Sequence, residues 1–326
     1  MRQEAINWNN IDDMIDKATW EKLTEQFWLD TRVPVADDLP DWDSLEDFEK
    51  TLINKTFGGL TLLDTLQSST GVKELLDDTV TMHEEAVLNN IIFMESVHAK
   101  SYSTIFSTFN TKSEIDEIFE WIATNEYLQY KANVIEDVYL NGTPLQKKAI
   151  SVLLESFLFY SGFYTPLHYL GRAKMANTAE VIKLIIRDET VHGTYIGYKF
   201  RRGMSQLPEP EQLELKEWVI NIAFDLWNNE LKYTKELYDT IGWTEDVNKF
   251  LEYNLNKALD NLGLDPLFTT TAKDVNSIVI NGLSTSTSNH DFFSQVGNGY
   301  LLGEVEPIKA LDFNMLDNLV KGVDTY

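Results

Sequence analysis

Two short motifs with the same chemistry occur along the chain. Each is a glutamate followed three residues later by a histidine, Glu95 with His98 and Glu189 with His192. Residues three apart lie on one face of a helix, so each motif can direct a carboxylate and an imidazole at one point. One copy is weak evidence, because Glu-rich helices produce it by chance. Only five histidines occur in the chain, however, and two of them stand in this frame, which favours a metal site.

Two further carboxylates stand where an apolar residue is expected. Asp64 lies in GLTLLDTLQ and Glu155 in LLESFLFYSGF, and both Glu-x-x-His motifs also have apolar neighbours. A carboxylate in an apolar stripe is costly to bury without a compensating cation. If each of these four segments is a helix, together they supply four carboxylates and two imidazoles. This is the ligand set of a two-metal site in a four-helix bundle. Oxygen and nitrogen ligands without thiolate favour iron or manganese.

The alternative is that these six residues are ordinary core residues paired with Lys or Arg. For any one of them alone, this alternative is the better interpretation. For all six together it is weaker, because only Arg187 and Lys100 lie close in sequence to the two motifs.

Tyr102 follows His98 by four residues and therefore shares the helix face of the first motif. A phenol beside an oxygen-activating metal pair could be oxidised. Phe159, Phe163 and Ile185 occur at helical spacing from Glu155 and Glu189, so they would line the same faces and protect a radical. All four could equally be core residues, since the chain has 14 tyrosines and many apolar residues at such spacing.

Composition excludes several other classes of protein. The 326 residues carry 52 acidic and 27 basic side chains, a formal net charge of −25. This charge argues against binding to nucleic-acid backbone or to anionic membrane. The absence of cysteine excludes disulfides, thiolate metal sites and a cysteine nucleophile. No apolar run approaches the ~18 residues of a membrane span, and the first residues lack an apolar signal core, so we expect a cytoplasmic protein.

The hydrophobic periodicity is helical almost throughout, which predicts an all-α fold. We expect an N-terminal arm over 1–42, a helical domain with the dimetal core over 43–280, and a flexible linker with a partner-docking tail over 281–326. The linker prediction follows from the Gly, Ser, Thr and Asn content of 281–298. The helices expected to decide the site cover 20–28, 45–55, 60–66, 77–109, 144–170 and 178–202. Gly58 and Gly59 would separate helix 45–55 from helix 60–66. Thr81 could be the N-cap of helix 77–109 if that helix starts late. Gly162 and Pro166 could kink helix 144–170.

The same segments resemble the small, radical-generating subunit of class Ib ribonucleotide reductase. The resemblance rests on GLTLLDTLQ, HEEAVLNNIIFMESVHAKSYSTIF, LLESFLFYSGF and LIIRDETVHGTYIGYKF, and extends over nearly the whole chain. It implies a ferritin-like helical bundle in which Asp64, Glu95 and His98 bind one metal and Glu155, Glu189 and His192 the other. It also implies that Tyr102 carries the radical. Trp28, Asp188 and the C-terminal Tyr300 would transfer it.

The activity implied by this resemblance is reduction of ribonucleotides to deoxyribonucleotides by a large catalytic subunit. That subunit must supply the reacting cysteines, because this chain has none. The resemblance further implies a homodimer, a dimanganese or diiron cofactor with a tyrosyl radical, and a flavodoxin-like activase for manganese loading.

Three alternatives remain open at this point. The main one is a bundle oxygenase or desaturase that uses the metal pair directly on an organic substrate. The others are ferritin-like iron storage, which predicts a shorter chain, and a helical scaffold without metal.

Overall fold

A computed structural model describes residues 4–284, and the structural statements below concern that part of the chain. Within it the secondary structure is helical, without a β-strand, so the all-α prediction is confirmed there. The α-helices in chain order are α1 (Met14–Glu25), α2 (Leu39–Asp43), α3 (Asp47–Leu66), α4 (Val72–Leu76), α5 (Met82–Phe109), α6 (Lys112–Thr124), α7 (Glu126–Asn141), α8 (Pro144–Leu153), α9 (Tyr160–Leu170), α10 (Ala176–Met204), α11 (Glu209–Tyr238), α12 (Thr244–Asn261) and α13 (Ser277–Ser284). Two π-helical turns, Gln67–Gly71 and Leu154–Leu158, follow α3 and α8.

Four helical stretches form the bundle that holds the predicted ligands. α3 packs on α5, α5 on α10, α10 on α8 and α9, and α9 on α3, which closes a ring. The inward faces are apolar and fully buried, for example Ile91 on α5 and Ile185 on α10. Burial of such side chains, at roughly 1.5–3 kcal/mol each, dominates the stability of the bundle.

Helix α5 begins at Met82, later than the expected start at residue 77, with Thr81 as its N-cap. The Thr81 hydroxyl accepts a hydrogen bond from the Glu84 backbone N–H at 3.1 Å and caps the helix. The Glu84 carboxylate reaches the Val80 N–H at 3.4 Å, one residue before the cap. Residues from 77 to 81 therefore lie outside this helix, and the start expected at 77 was wrong.

Two other predicted helix boundaries were wrong. α3 runs unbroken through Gly58 and Gly59, because close packing rather than a chain break requires a small residue there. A Cβ atom on Gly59 would lie 2.4 Å from the Tyr233 hydroxyl. The first helix ends at Glu25, so Trp28 lies in the irregular connection that follows it.

The expected helix over 144–170 is interrupted, but not at its glycine or proline. The chain leaves α-helical geometry at Leu154–Leu158, in the π-helical turn that contains Glu155. Pro166 lies inside α9 without ending it. Single π-helical turns within α-helices are frequent at functional sites.

The two ends of the described chain pack on the bundle. α1 lies on α5 and α10, and the Tyr195 hydroxyl donates to Asp16 at 2.8 Å. α13 packs on α9 and continues to Ser284, four residues into the stretch expected as linker. The rest of the expected linker and tail, including Tyr300, lies outside the described residues. No helix among residues 4–284 is long and apolar enough to span a membrane.

Candidate metal centre

The six predicted ligands converge at the centre of the bundle, and all are fully buried. Asp64 comes from α3, Glu95 and His98 from α5, Glu155 from the second π-helical turn, and Glu189 and His192 from α10. Their ligand atoms form two overlapping sets, each with all its atoms within 4.8 Å of one another. One set is Asp64, Glu95, His98 and Glu189; the other is Glu95, Glu155, Glu189 and His192. Two carboxylates are therefore common to both sets.

Both imidazoles face the carboxylates with the same ring nitrogen. His98 Nδ1 lies 3.0 Å from Glu189 Oε1 and 3.6 Å from both Asp64 Oδ1 and Glu95 Oε2. His192 Nδ1 lies 2.9 Å from Glu95 Oε1 and 3.2 Å from Glu189 Oε2. Nδ1 is thus the donor atom that each histidine offers to a metal. The spacing of the motif could not reveal this choice.

The cluster has the properties of a site built for cations. Both carboxylate oxygens of Asp64 and of Glu95 are buried without a hydrogen-bond partner in the described structure, as are His98 Nδ1 and Glu155 Oε2. An unpartnered buried polar group costs about 1–3 kcal/mol, and a charged one more. Divalent cations would satisfy all these atoms at once, so the residues present fit a pair of metal ions.

The counterion alternative is not supported, because both basic residues that it would use pair elsewhere. Arg187 lies 3.3 Å from the Asp188 carboxylate. The Lys100 ammonium is 2.5 Å from Asp30, and its side chain is 63% exposed.

The electrostatics of the cluster show how strongly it binds protons. Burial raises the pKa values of Asp64 and Glu155 well above the ordinary carboxyl range. Burial alone would lower the pKa of His98, but the negative charge of Glu189 and hydrogen bonding to Asp188, Asp64 and Glu189 together outweigh burial and raise that pKa well above its ordinary value. Because metal ligands must be deprotonated, bound cations would replace these protons.

Tyr102 lies one turn beyond His98 on α5 and is fully buried. Burial first, and the charge of Asp64 next, raise its pKa well above 10, so the phenol stays protonated. Asp64 is near enough to exert this effect, yet the Tyr102 hydroxyl is outside hydrogen-bond geometry and has no partner among residues 4–284. The Tyr102 ring lies 5.9 Å from that of Phe57.

The residues expected to shield Tyr102 are also fully buried: Phe159, Phe163 and Ile185. The Phe159 and Phe163 rings stack at 5.8 Å. Their role as a shield stays a prediction. Phe57 was missed, although its position seven residues before Asp64 places it on the same face of α3.

A hydrogen-bonded series leads from the cluster to Trp28. His98 Nε2 lies 3.2 Å from Asp188 Oδ2, and the Trp28 indole N–H donates to the same oxygen at 2.7 Å. The Trp28 and His98 rings are stacked at 5.8 Å. Gln26, which sequence reasoning missed, donates to the other oxygen of Asp188 at 2.8 Å. Because Gln26 lies outside a helix, no periodicity could have indicated it.

Comparison with known proteins decides the family. The model of the family "Ribonucleotide reductase, small chain" matches residues 5–277. The chain belongs to this family.

Relatives of known function and structure agree with this assignment. The beta subunit of ribonucleoside-diphosphate reductase from Mycobacterium leprae is 52% identical over 304 residues, which cover 93% of this chain and 94% of that protein. The subunit beta of ribonucleoside-diphosphate reductase 2 from Escherichia coli K12 is 48% identical over 314 residues, with coverage of 96% and 98%. The crystal structure of dimanganese(II)-NrdF from Streptococcus sanguinis matches with a TM-score of 0.86 at 66% identity, covering 86% of this chain and all of that one. These similarities give the oxygenase alternative no support.

Proposed function

We propose that this chain is the beta subunit of a class Ib ribonucleoside-diphosphate reductase, which generates a radical used to make DNA precursors. The observation that carries the proposal is the juxtaposition of two overlapping ligand sets with a buried phenol. Asp64 belongs to one set, and its charge acts on Tyr102. A storage protein or a scaffold has no use for an oxidisable side chain held there.

The six clustered side chains would hold two ions of manganese or iron, since their oxygen and nitrogen donors suit both metals. Manganese is supported by the relative from Streptococcus sanguinis, which is named as a dimanganese(II) protein. When bound and oxidised by an external oxidant, the metal pair would accept the electron that Tyr102 loses.

The chain's own residues manage the proton that accompanies this electron. A phenol that loses an electron becomes strongly acidic. We assign this proton to the Asp64 carboxylate, the neighbour whose charge acts most on Tyr102. Because the two groups lie outside hydrogen-bond geometry, one of the two side chains must rotate into contact before the transfer. The buried apolar side chains of Phe57, Phe159, Phe163 and Ile185 exclude water and other reductants from the resulting radical.

Trp28 and Asp188 provide the route by which the radical is transferred from the metal site to the surface of the bundle. When Trp28 gives up an electron toward the metal site, its indole proton can shift to Asp188 across the 2.7 Å hydrogen bond. His98 connects Asp188 to the ligand cluster. Tyr300, beyond the described residues, would take the next step toward the partner.

The partners follow from the family and from the chemistry that this chain lacks. A large catalytic subunit binds the ribonucleotide and supplies the reacting cysteines. The part of the expected region 281–326 that follows α13 provides the docking tail, and two copies of the chain form the dimer. A flavodoxin-like activase would supply the oxidant for manganese, and the cytoplasmic location expected from the sequence belongs to the same proposal.

Electron paramagnetic resonance with metal quantification tests the proposal. Protein loaded with manganese or iron should hold two ions per chain and show a tyrosyl radical. Glu155→Ala should lower the metal content while the helices remain. Glu117 is exposed on α6, so Glu117→Ala is the matched control and should change neither the metal content nor the helix content. Full occupancy of both sites in Glu155→Ala would contradict the ligand assignment.

A further inference from the structure

Gln67 connects a metal ligand to residues outside the cluster. Its side chain is fully buried and begins the π-helical turn Gln67–Gly71, three residues after Asp64. Its amide nitrogen donates to Glu155 Oε1 and, at 3.1 Å, to the Ser151 hydroxyl. Its amide oxygen accepts a hydrogen bond from the Tyr139 hydroxyl at 2.6 Å.

The chemistry of these groups fixes the direction of every bond. With a metal ion bound, Glu155 is deprotonated and can only accept, so the amide nitrogen of Gln67 must face it and the amide oxygen must face away. Burial raises the pKa of Tyr139, so its hydroxyl stays protonated and donates to that oxygen. The side-chain amide of Gln67 is thus satisfied on both sides.

The absence of a side chain at Gly71 leaves room for the side chains of Gln67 and Tyr139. The backbone of Gly71 is helical, with φ −51°, so conformational freedom does not explain the glycine. A Cβ atom there would lie 2.3 Å from Gln67 Oε1 and 2.8 Å from the Tyr139 ring. Any larger residue would displace one of these two side chains.

The two oxygens of Glu155 consequently differ. Oε1 is held by Gln67, whereas Oε2 has no hydrogen-bond partner among residues 4–284 and lies 3.6 Å from His192 Nδ1. Oε2 is therefore the Glu155 oxygen that is left without a hydrogen bond and faces the cluster.

We propose that Gln67 is a positioning residue that restricts Glu155 to binding its metal ion through Oε2 alone. Tyr139 supports Gln67 from behind. This inference rests on the proposed function, because it needs a metal in the ligand set of Glu155, Glu189 and His192. Without Gln67, the Glu155 carboxylate could turn and offer both oxygens to the metals.

The test compares two matched substitutions of buried side-chain amides. Gln67→Leu keeps the approximate volume and removes both hydrogen bonds to Glu155 and Ser151. Loss of such an outer contact typically lowers metal affinity about 10- to 100-fold. We expect this fall for the site that contains Glu155, with less than about a twofold change at the site that contains Asp64. Asn229→Leu on α11 removes a buried amide that bonds the Tyr127 backbone carbonyl and no residue of the cluster, so both Mn²⁺ affinities should stay near wild type.

Manganese titration of the full chain supplies the readout. The electron paramagnetic resonance signal of free Mn²⁺ gives the affinities, and anomalous diffraction at the manganese edge assigns each ion to its ligands. The manganese-bound crystal structure of Gln67→Leu should show Glu155 turned, with Oε1 released. If Gln67→Leu does not fold, Tyr139→Phe provides the second test, with an expected fall of about 2- to 10-fold at the same site.

The outcomes separate this inference from the proposed function. A wild-type chain that binds fewer than two Mn²⁺ ions would refute the dimetal proposal itself. If wild type binds two ions and the variants bind them equally well with Glu155 unmoved, Gln67 does not position the ligand. Equal losses at both sites would also overturn the inference, because they would indicate a general packing defect.

Discussion

Tyr102→Phe removes a single oxygen atom from a ring that has no exposed surface. In the unfolded chain the hydroxyl bonds to water, whereas in the folded protein it has no hydrogen-bond partner among residues 4–284. The native state therefore carries a desolvation penalty of about 1–3 kcal/mol, which phenylalanine removes. We expect Tyr102→Phe to be more stable than wild type when both are metal-free. When loaded with metal, the variant should form no tyrosyl radical at position 102.

The size of the change follows from the length of the folded part. Unfolding entropy near 2.1 cal/mol/K per residue gives about 0.6 kcal/mol/K for the roughly 280 described residues. A gain of about 1–3 kcal/mol thus corresponds to a rise in Tm of about 2–5 °C. Calorimetry of chelator-treated protein measures it without the contribution of bound metal.

Tyr139→Phe is the matched control for this prediction. It removes the same atom from an equally buried ring, but here the hydroxyl donates to Gln67 at 2.6 Å. The variant leaves Gln67 Oε1 without its donor, which should lower stability by about 1–3 kcal/mol. The two substitutions should therefore shift Tm in opposite directions.

Two results would refute this reasoning. Equal destabilisation by both substitutions would show that the Tyr102 hydroxyl has a stabilising partner in the metal-free protein. A full tyrosyl radical signal in metal-loaded Tyr102→Phe would assign the radical to another tyrosine.

Three further predictions address transfer, pH and docking. Trp28→Phe should keep the metals and the Tyr102 radical by electron paramagnetic resonance while turnover with the large subunit collapses; retained turnover would remove Trp28 from the route. Burial lowers the pKa of His168 to about 4, so between pH 6.5 and 4 the unfolded state binds more protons than the folded state. The free energy of unfolding should therefore fall as the pH drops through this window, by at most about 1.4 kcal/mol per pH unit. His168→Phe should reduce this pH dependence in urea unfolding, and an unchanged dependence would contradict the assignment. Truncation after Asn298 should preserve metals and radical but abolish large-subunit binding in a pull-down, and undiminished binding would show that docking lies elsewhere.

The clustering of the six candidate ligands could be predicted because local rules largely determine it. Spacing of three residues puts Glu95 and His98 on one helix face whatever the rest of the fold does. The apolar neighbours of Asp64 and Glu155 indicate burial, and burial of a carboxylate requires a partner. None of these inferences needs a contact between distant parts of the chain.

The features that could not be predicted depend on such distant contacts. Gly59 seemed to break a helix, whereas Tyr233 of α11 explains it. Trp28 was expected at the end of a helix, yet it lies beyond α1 with its indole bonded to Asp188, 160 residues away in sequence. Neither partner is visible in the local pattern around Gly59 or Trp28.

The two π-helical turns show both the local and the distant contributions to the candidate site. Each follows a helix of the bundle that holds the candidate ligands. The second turn lies where a regular helix, or a kink at Gly162 or Pro166, was expected, whereas no expectation covered the first. Gln67 begins one turn, Glu155 lies in the other, and the hydrogen bond between them joins the two. Departures from local preference in native proteins concentrate at functional sites. The irregular geometry here coincides with the contact that we propose orients Glu155, which relates the irregularity to the candidate metal site rather than to the local sequence.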